Sequence, residues 1–251
     1  MSKNRFLRRA GAKIITQKLA AKAIFDWQLI KAGDRILIAV SGGKDSTVLA
    51  WALSVLKRSL KIDYELQAIH ISSDFCACCK KSDLASRLEN WGIPFMDIFV
   101  PIIGRLKEGR KMNCYWCSTQ RRMELIKYAM EKGFNKIALG HHLDDIIETF
   151  FMNMTGKGLL STMPIYLSYR KYPLSIIRPL AYLEERQIIA CAAELDILSA
   201  VCTCPYGINS RRRDIRERIA AFTGNSGAEK RRILAALANG DKDFLVEDSD
   251  S

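Results

Sequence analysis

The sequence predicts an α/β fold, a parallel sheet with helices on both faces. Three observations predict it. Ile36–Val40 is a short apolar run with β-branched character, broken by Ser41-Gly42-Gly43 and followed by helix-compatible apolar spacing over Thr47–Leu56. Further short apolar runs at Tyr64–Ile71, Pro94–Val100, Lys136–Gly140 and Ile176–Leu180 are separated by helical patterns. The chain has 251 residues with 49% hydrophobic content, which suits one large domain or one domain with short appendages.

Before Asp26 the chain carries seven basic side chains (Lys3, Arg5, Arg8, Arg9, Lys13, Lys18, Lys22) and no acidic one. Ile14, Leu19, Ala20, Ala23, Ile24 and Trp27 recur at the spacing of an amphipathic helix. Two readings stay open: a solvated helix packed on the domain, or a basic helix lying against RNA phosphates. Residues 1–34 form a basic N-terminal helical segment in this reading, closed by the turn Lys31-Ala32-Gly33-Asp34.

The unit around Ile36–Ser46 organises the rest. A strand, a tight glycine turn and a helix N-terminus make an anion cradle, because backbone N–H groups and the helix dipole point at the bound charge. Glycines let the backbone approach a phosphate without a Cβ in the way. Ser41, Gly42, Gly43, Lys44, Asp45 and Ser46 are therefore candidate phosphate-binding residues, with Asp45-Ser46 expected to supply the helix N-cap and first turn. This is not the Walker pattern, since the glycines are adjacent and an aspartate follows the lysine.

Beyond it, His70 stands near the end of the second strand, at the carboxyl edge of a parallel sheet, as a structural or a ligand-facing histidine. Cys76, Cys78 and Cys79 cluster in the next loop, as a second metal or sulfur site or as small loop residues, and take no assigned role. A helix over Lys80–Trp91 precedes the third strand, and a loop over Pro101–Lys111 follows it. Cys114-Tyr-Trp-Cys117 then opens a segment whose helix is clear over Met123–Glu131. A CxxC at a helix start is a redox pair or two ligands of a metal site. Its place deep inside the domain favours metal.

The fourth strand runs into His141-His142-Leu143-Asp144-Asp145 and a helix over Ile146–Met154. These side chains fit a metal site or a nucleotide-binding face, and the aspartates also suit a first helical turn for dipole reasons alone. After the fifth strand come a helix over Glu184–Glu194, with Cys191 among its alanines, then Cys202-Thr-Cys204-Pro and the basic run Arg211-Arg212-Arg213. Residues 206–251 form a basic C-terminal helical segment ending in an acidic tail.

No apolar run reaches the roughly 18–20 residues that span a bilayer, and the N-terminus lacks a signal-peptide core. A cytoplasmic protein is expected, without membrane association. Eight cysteines grouped this way in a reducing compartment point to metal or sulfur chemistry rather than disulfides. The net charge of +12 points to a polyanionic partner, with nucleic acid first.

S-G-G-K-D-S resembles the PP-loop of ATP pyrophosphatases, the adenine nucleotide α-hydrolase type with a Rossmann-like sheet. S-G-G-K-D-S, C-Y-W-C-S-T-Q-R-R, K-I-A-L-G-H-H-L-D-D-I-I-E-T-F-F-M-N-M, I-I-R-P-L-A-Y and a late C-P follow one another in that order. The ordered set resembles the tRNA 2-thiocytidine synthetase (TtcA) family over roughly residues 4–220. The resemblance implies ATP-dependent replacement of oxygen by sulfur at C2 of an anticodon-loop cytidine, position 32 in the family. It implies ATP, Mg²⁺ and a 4Fe–4S cluster on Cys114, Cys117 and Cys204, with Cys202 the rival third ligand. It places Lys44 and Asp45 in catalysis, and Gly140, His141 and Asp145 with the phosphate loop on the nucleotide. Residues 35–205 become the ATPase and thiolation domain. Partners implied are tRNA and a cysteine desulfurase or other sulfur donor, with a homodimer left open. The C-A-C-C cluster and a shorter region after Ile219 depart from the family pattern. Two alternatives stand beside it: another PP-loop tRNA-modifying enzyme, thiolating a different nucleoside or forming lysidine, and a non-enzymatic RNA-binding protein with structural zinc.

Overall fold

The structure is a computed structural model that describes residues 11–75, 81–197 and 210–239. Cys76, Cys78, Cys79, Cys202 and Cys204 lie outside the described residues, as do the basic residues before Gly11 and the acidic tail. The chain divides into two units, Met1–His142 with Pro164–Asn209, and Leu143–Met163 with Ser210–Ser251.

In chain order the first unit holds α1 (Ala12–Asp26), β1 (Asp34–Ala39), α2 (Lys44–Ser59), β2 (Tyr64–Ser73), α3 (Lys81–Asn90), β3 (Phe95–Val100), α4 (Cys114–Glu131) and β4 (Lys136–Ala138). The second unit contributes α5 (Leu143–Lys157), and the first resumes with β5 (Tyr166–Ser168), β6 (Ser175–Ile177) and α6 (Glu185–Glu194). The second unit then adds α7 (Ser210–Thr223) and α8 (Gly227–Ala238).

The six strands lie in the order β3-β2-β1-β4-β6-β5. All neighbours are parallel except β5, which pairs antiparallel with β6 at the edge. The α/β expectation therefore holds, with one correction: the sheet is not wholly parallel. Ile36, Leu37 and Ile38 are fully buried, as a central parallel strand covered on both faces requires. Leu37, Ile69, Ile71 and Ile137 form a core with Tyr128 and Ala129 of α4, and Phe134 stacks on Tyr128. Ile36 and Ile38 point to the opposite face by strand alternation, the face on which α2 buries Val48, Leu49, Ala52, Leu53 and Leu56.

The amino edge of the sheet is tied by charge. Lys136 Nζ lies 2.6 Å from Asp34 Oδ2 and donates to the Leu29 carbonyl at 2.6 Å, with both charged side chains under a tenth exposed. Asn135 Nδ2 donates to Asp34 Oδ1 at 2.8 Å, and the Lys31 amide to Oδ2 at 2.6 Å.

The basic N-terminal helix is packed on its unit. Thr16, Ala20, Ala23 and Ile24 face inward, while Ile14 is left half exposed. Its first turn is held by Glu194, which accepts from the Ala12 and Lys13 amides at 2.5 and 3.0 Å. Those two donors hold the Glu194 carboxyl below the usual range. Lys22 bonds Asp26 at 2.7 Å, so one of the seven basic side chains is paired within the helix.

In the second unit, Ile215, Ile219 and Thr223 repeat every fourth position along α7 and are buried. Two helices, separated by Gly224-Asn225-Ser226, stand where the sequence showed one basic segment. Ser226 ends the ambiguity physically, since its Oγ accepts from the Glu229 amide and caps α8. Glu148 is buried, with Oε1 bonded to Arg216 Nε and Oε2 lacking any hydrogen-bond partner. Burial raises its pKa and outweighs the opposing pull of Arg216. The ionised form thus costs stability in the fold, a cost present at neutral pH and absent once both states are protonated. Glu148→Gln is expected to raise Tm by about 2–4 °C at pH 7. The gain should shrink as pH falls into the acid range, as thermal unfolding at several pH values would record. Arg216 is half exposed and can hydrate when its partner is neutral.

Candidate functional site

Chain order turns one way from β1 to β2 and β3, and the other way to β4 and β6. The crevice at the carboxyl ends of β1 and β4 is the switch point at which open α/β sheets bind ligands. Two segments meet there, Ser41–Ser46 after β1 and Gly140-His141 after β4.

The loop is knitted by its own hydroxyls. Ser46 Oγ accepts from the Ser41 amide at 3.1 Å and donates to the Gly43 carbonyl at 3.1 Å. Ser41 Oγ accepts from the Gly43 amide at 3.3 Å, and Thr47 Oγ1 donates to the Gly43 carbonyl at 3.0 Å. Gly42 sits at φ +83°, a left-handed conformation that favours glycine. The N-cap is Gly43, with no side-chain cap, rather than Asp45 or Ser46. Asp45 stands in the first turn, and the Ser46 hydroxyl is spent on the loop. The first-turn amides of α2 have no intrahelical acceptor and face the crevice as anion donors.

Gly140 meets this loop at close range. A Cβ there would lie 2.9 Å from Ser46 N and 3.0 Å from Asp45 C and Ser46 Cα, all backbone atoms. Its place in the site is to let β4 approach the helix start.

Lys44 Nζ lies 3.2 Å from Asp45 Oδ1 and 3.1 Å from Glu185 Oε1 in the first turn of α6. Burial alone would lower the Lys44 pKa, but Asp45 and Glu185 together raise it above its ordinary value. Lys44 is therefore a fixed cation beside the loop. Asp45 Oδ1 is buried and is met by the Lys44 ammonium at 3.2 Å, which leaves a carboxylate oxygen with spare electron pairs in the first turn of α2. That suits a hard divalent cation. Arg178, buried at the end of β6, donates through Nε to His141 Nδ1 at 3.3 Å. A neutral His141 then carries its proton on Nε2. His70 is held in the opposite sense, its Nδ1 donating to the Val40 carbonyl at 2.8 Å, which supports the structural reading of that histidine.

Among the described residues, no three His, Cys, Asp or Glu side chains come together as a metal site. Of the two readings of His141, His142, Asp144 and Asp145, the metal one finds no such group among the described residues. Asp144 pairs with Lys230 at 2.6 Å and Asp145 stands in the first turn of α5, both in the second unit.

Cys114 and Cys117 occupy the first turn of α4, the first exposed and the second half-buried. Positions i and i+3 share one helical face. The helix begins nine residues before Met123 because the Asn113 side chain caps it, accepting from the Trp116 amide at 2.9 Å. Trp116 packs on the α4 core and donates its indole N–H to the Ile102 carbonyl at 3.2 Å. Since β1 and β3 run parallel to β2, the loop after β3 and the loop after β1 both leave the carboxyl edge. Cysteine sulfur is a ligand suited to soft metals. The donor pair fits two ligands of an iron–sulfur cluster. Sequence reasoning missed Glu185 and Arg178. The Glu184–Gln187 capping box marks the start of α6, but nothing local shows that its first turn reaches Lys44.

Residues 15–221 match the PP-loop domain family. The chain is 36% identical to the tRNA-cytidine(32) 2-sulfurtransferase of Geobacter metallireducens, over 87% of this chain and 86% of that protein. It is 35% identical to the enzyme of that name from Dichelobacter nodosus, over 88% and 84%. Among solved structures it shares the fold of the U34-tRNA thiolase NcsA from Methanococcus maripaludis, determined with its 4Fe–4S cluster. The TM-score is 0.70, at 23% identity over 89% of this chain and 76% of that one. The loop, the thiol pair and these likenesses converge: the chain belongs to the PP-loop family and, within it, to the tRNA-cytidine(32) 2-sulfurtransferases.

Proposed function

We propose that the protein replaces O2 of cytidine 32 in tRNA by sulfur, consuming ATP. The observation that carries this reading is the pairing, within one unit, of a phosphate-binding loop at the sheet switch point with two thiols on the first turn of α4. Amide formers with the same loop have no use for those thiols. A structural zinc would leave the loop unexplained.

The oxygen on C2 of cytosine is a poor leaving group, and adenylation by ATP makes it a good one. The α2 amides and Lys44 stabilise the charge that develops on the departing pyrophosphate. Asp45 would hold Mg²⁺ against the phosphates, and Glu185 and Asp45 keep Lys44 charged and aimed. Gly140 and His141 line the nucleotide, with Asp145 kept as a weaker assignment to the same face. Cys114 and Cys117 would hold two irons of a 4Fe–4S cluster, with Cys204 proposed as third ligand over Cys202. When bound, a cluster on three cysteines supplies an iron open to an exogenous sulfide, the nucleophile for C2. A cysteine desulfurase together with a two-electron thiol reductant, or another sulfide donor, would supply that sulfur. Residues 35–205 would carry the chemistry, and the basic segments 1–34 and 206–251 would add affinity for tRNA phosphates. Among the described residues no helix is long and apolar enough to cross a membrane, and a cytoplasmic site suits a tRNA substrate.

Anaerobically reconstituted variants test the reading by iron count and thiolation assay. Asp45→Ala should lose more than about 100-fold in thiolation with iron unchanged. Cys114→Ala, Cys117→Ala and Cys204→Ala should each lose the iron and the activity, while Cys202→Ala keeps both. Iron-free protein that still thiolates cytidine 32 would sink the proposal.

A further inference from the structure

The C-Y-W-C turn holds two aromatic side chains with opposite fates. Trp116 is half-buried on the core with its indole N–H bonded. Tyr115 is 82% exposed, the most exposed large apolar or aromatic side chain among the described residues. Its hydroxyl makes no hydrogen bond there. A ring of that size left in water forgoes the burial that aromatic residues usually supply. Its backbone is nonetheless fixed, by the Asn113 cap on one side and the Trp116 anchor on the other.

The surroundings are positive. Arg110 and Lys111 are exposed just before the helix, and Arg122 is exposed at i+7, two turns along the face of Tyr115. No acidic residue occurs from Asn113 to Met123, and the positive end of the α4 dipole lies at the same place. A rigid exposed ring flanked by guanidinium and ammonium groups is what an unpaired nucleotide recognises, its base stacking on the ring and its phosphates meeting the cations. A duplex offers no free base face, and an apolar protein partner has no use for the cations.

We infer that Tyr115 is the platform on which an unpaired base of the tRNA anticodon loop stacks, with Arg122 on a neighbouring phosphate. The inference rests on the tRNA reading above. Its place between two cluster-binding cysteines would bring the loop to the sulfur. Stacking uses the ring and not the hydroxyl, so phenylalanine should serve as well as tyrosine.

The test uses the full-length reconstituted protein and an anticodon stem-loop RNA carrying cytidine 32. Tyr115→Ala should weaken binding, read by fluorescence anisotropy, and raise KM for thiolation by about 5- to 100-fold. Its kcat should stay within about twofold and its iron content unchanged. Tyr115→Phe should match wild type. Arg122→Gln should flatten the slope of log K against log salt by about 1. Wild-type binding and KM in Tyr115→Ala would overturn the inference while leaving the thiolase reading intact. So would an equal loss in Tyr115→Phe, or loss of iron in Tyr115→Ala. Wild-type protein that neither binds nor thiolates the RNA would remove the thiolase reading and the inference together.

Discussion

Gly140→Ala is expected to lower kcat/KM for tRNA thiolation by about 10- to 100-fold while the protein stays folded and keeps its iron. Gly140 is not among the residues with positive φ, so alanine suffers no backbone strain of its own. The cost comes from what the methyl group meets. All three of its near neighbours are backbone atoms of Asp45 and Ser46, at 2.9 to 3.0 Å, and backbone at a helix start cannot swing aside as a side-chain tip can. Either β4 withdraws or the N-terminus of α2 moves by a few tenths of an ångström. The second choice displaces the amides, Lys44 and Asp45 together, and misplacement of a reacting group by 1 Å costs about 100-fold. Steady-state thiolation kinetics beside circular dichroism and an iron count separate the outcomes. Wild-type kinetics in this variant would mean that the loop tolerates the shift and that Gly140 only fills space.

What the sequence makes legible is local. The S-G-G-K-D-S loop could be read because a strand, adjacent glycines and a helix start lie within eleven residues, and the structure places them at the switch point. The N-cap was misassigned because Asp and Ser are the usual cap residues. Here Ser46 spends its hydroxyl within the loop and Gly43 takes the cap position. The helix start at the CxxC was legible and stands at Cys114, although Cys, Tyr and Trp are mediocre helix formers; the Asn113 cap that fixes it was not, because a lone Asn gives a weak pattern. The three-residue strand Tyr166–Ser168 is too short to show alternation. The partners of the site are long-range: Glu185 reaches Lys44 across 141 residues and Arg178 reaches His141 across 37. No window of sequence contains both ends of either pair, so only the fold could reveal them.

The buried pair at the opposite edge of the sheet gives the largest expected effect on stability. Lys136→Met should lower Tm by about 10 °C, through loss of about 3–5 kcal/mol. Asp34 and Lys136 open β1 and β4, the two strands whose carboxyl ends carry the phosphate loop and Gly140. With the ammonium gone, Asp34 keeps its bonds from Asn135 and the Lys31 amide but stays buried as an uncompensated charge. The Leu29 carbonyl also loses its donor, and an unmet buried acceptor adds to the cost. Pairing the change with Asp34→Asn should recover much of the loss, because the stranded carboxylate is the main source of it. Thermal unfolding of the wild type, both single variants and the double variant forms the cycle. Equal Tm in Lys136→Met and the double variant would show that the charge is not what matters. Thiolation by the folded fraction should stay near wild type at 25 °C, since the pair sits at the amino edge and the chemistry at the carboxyl edge.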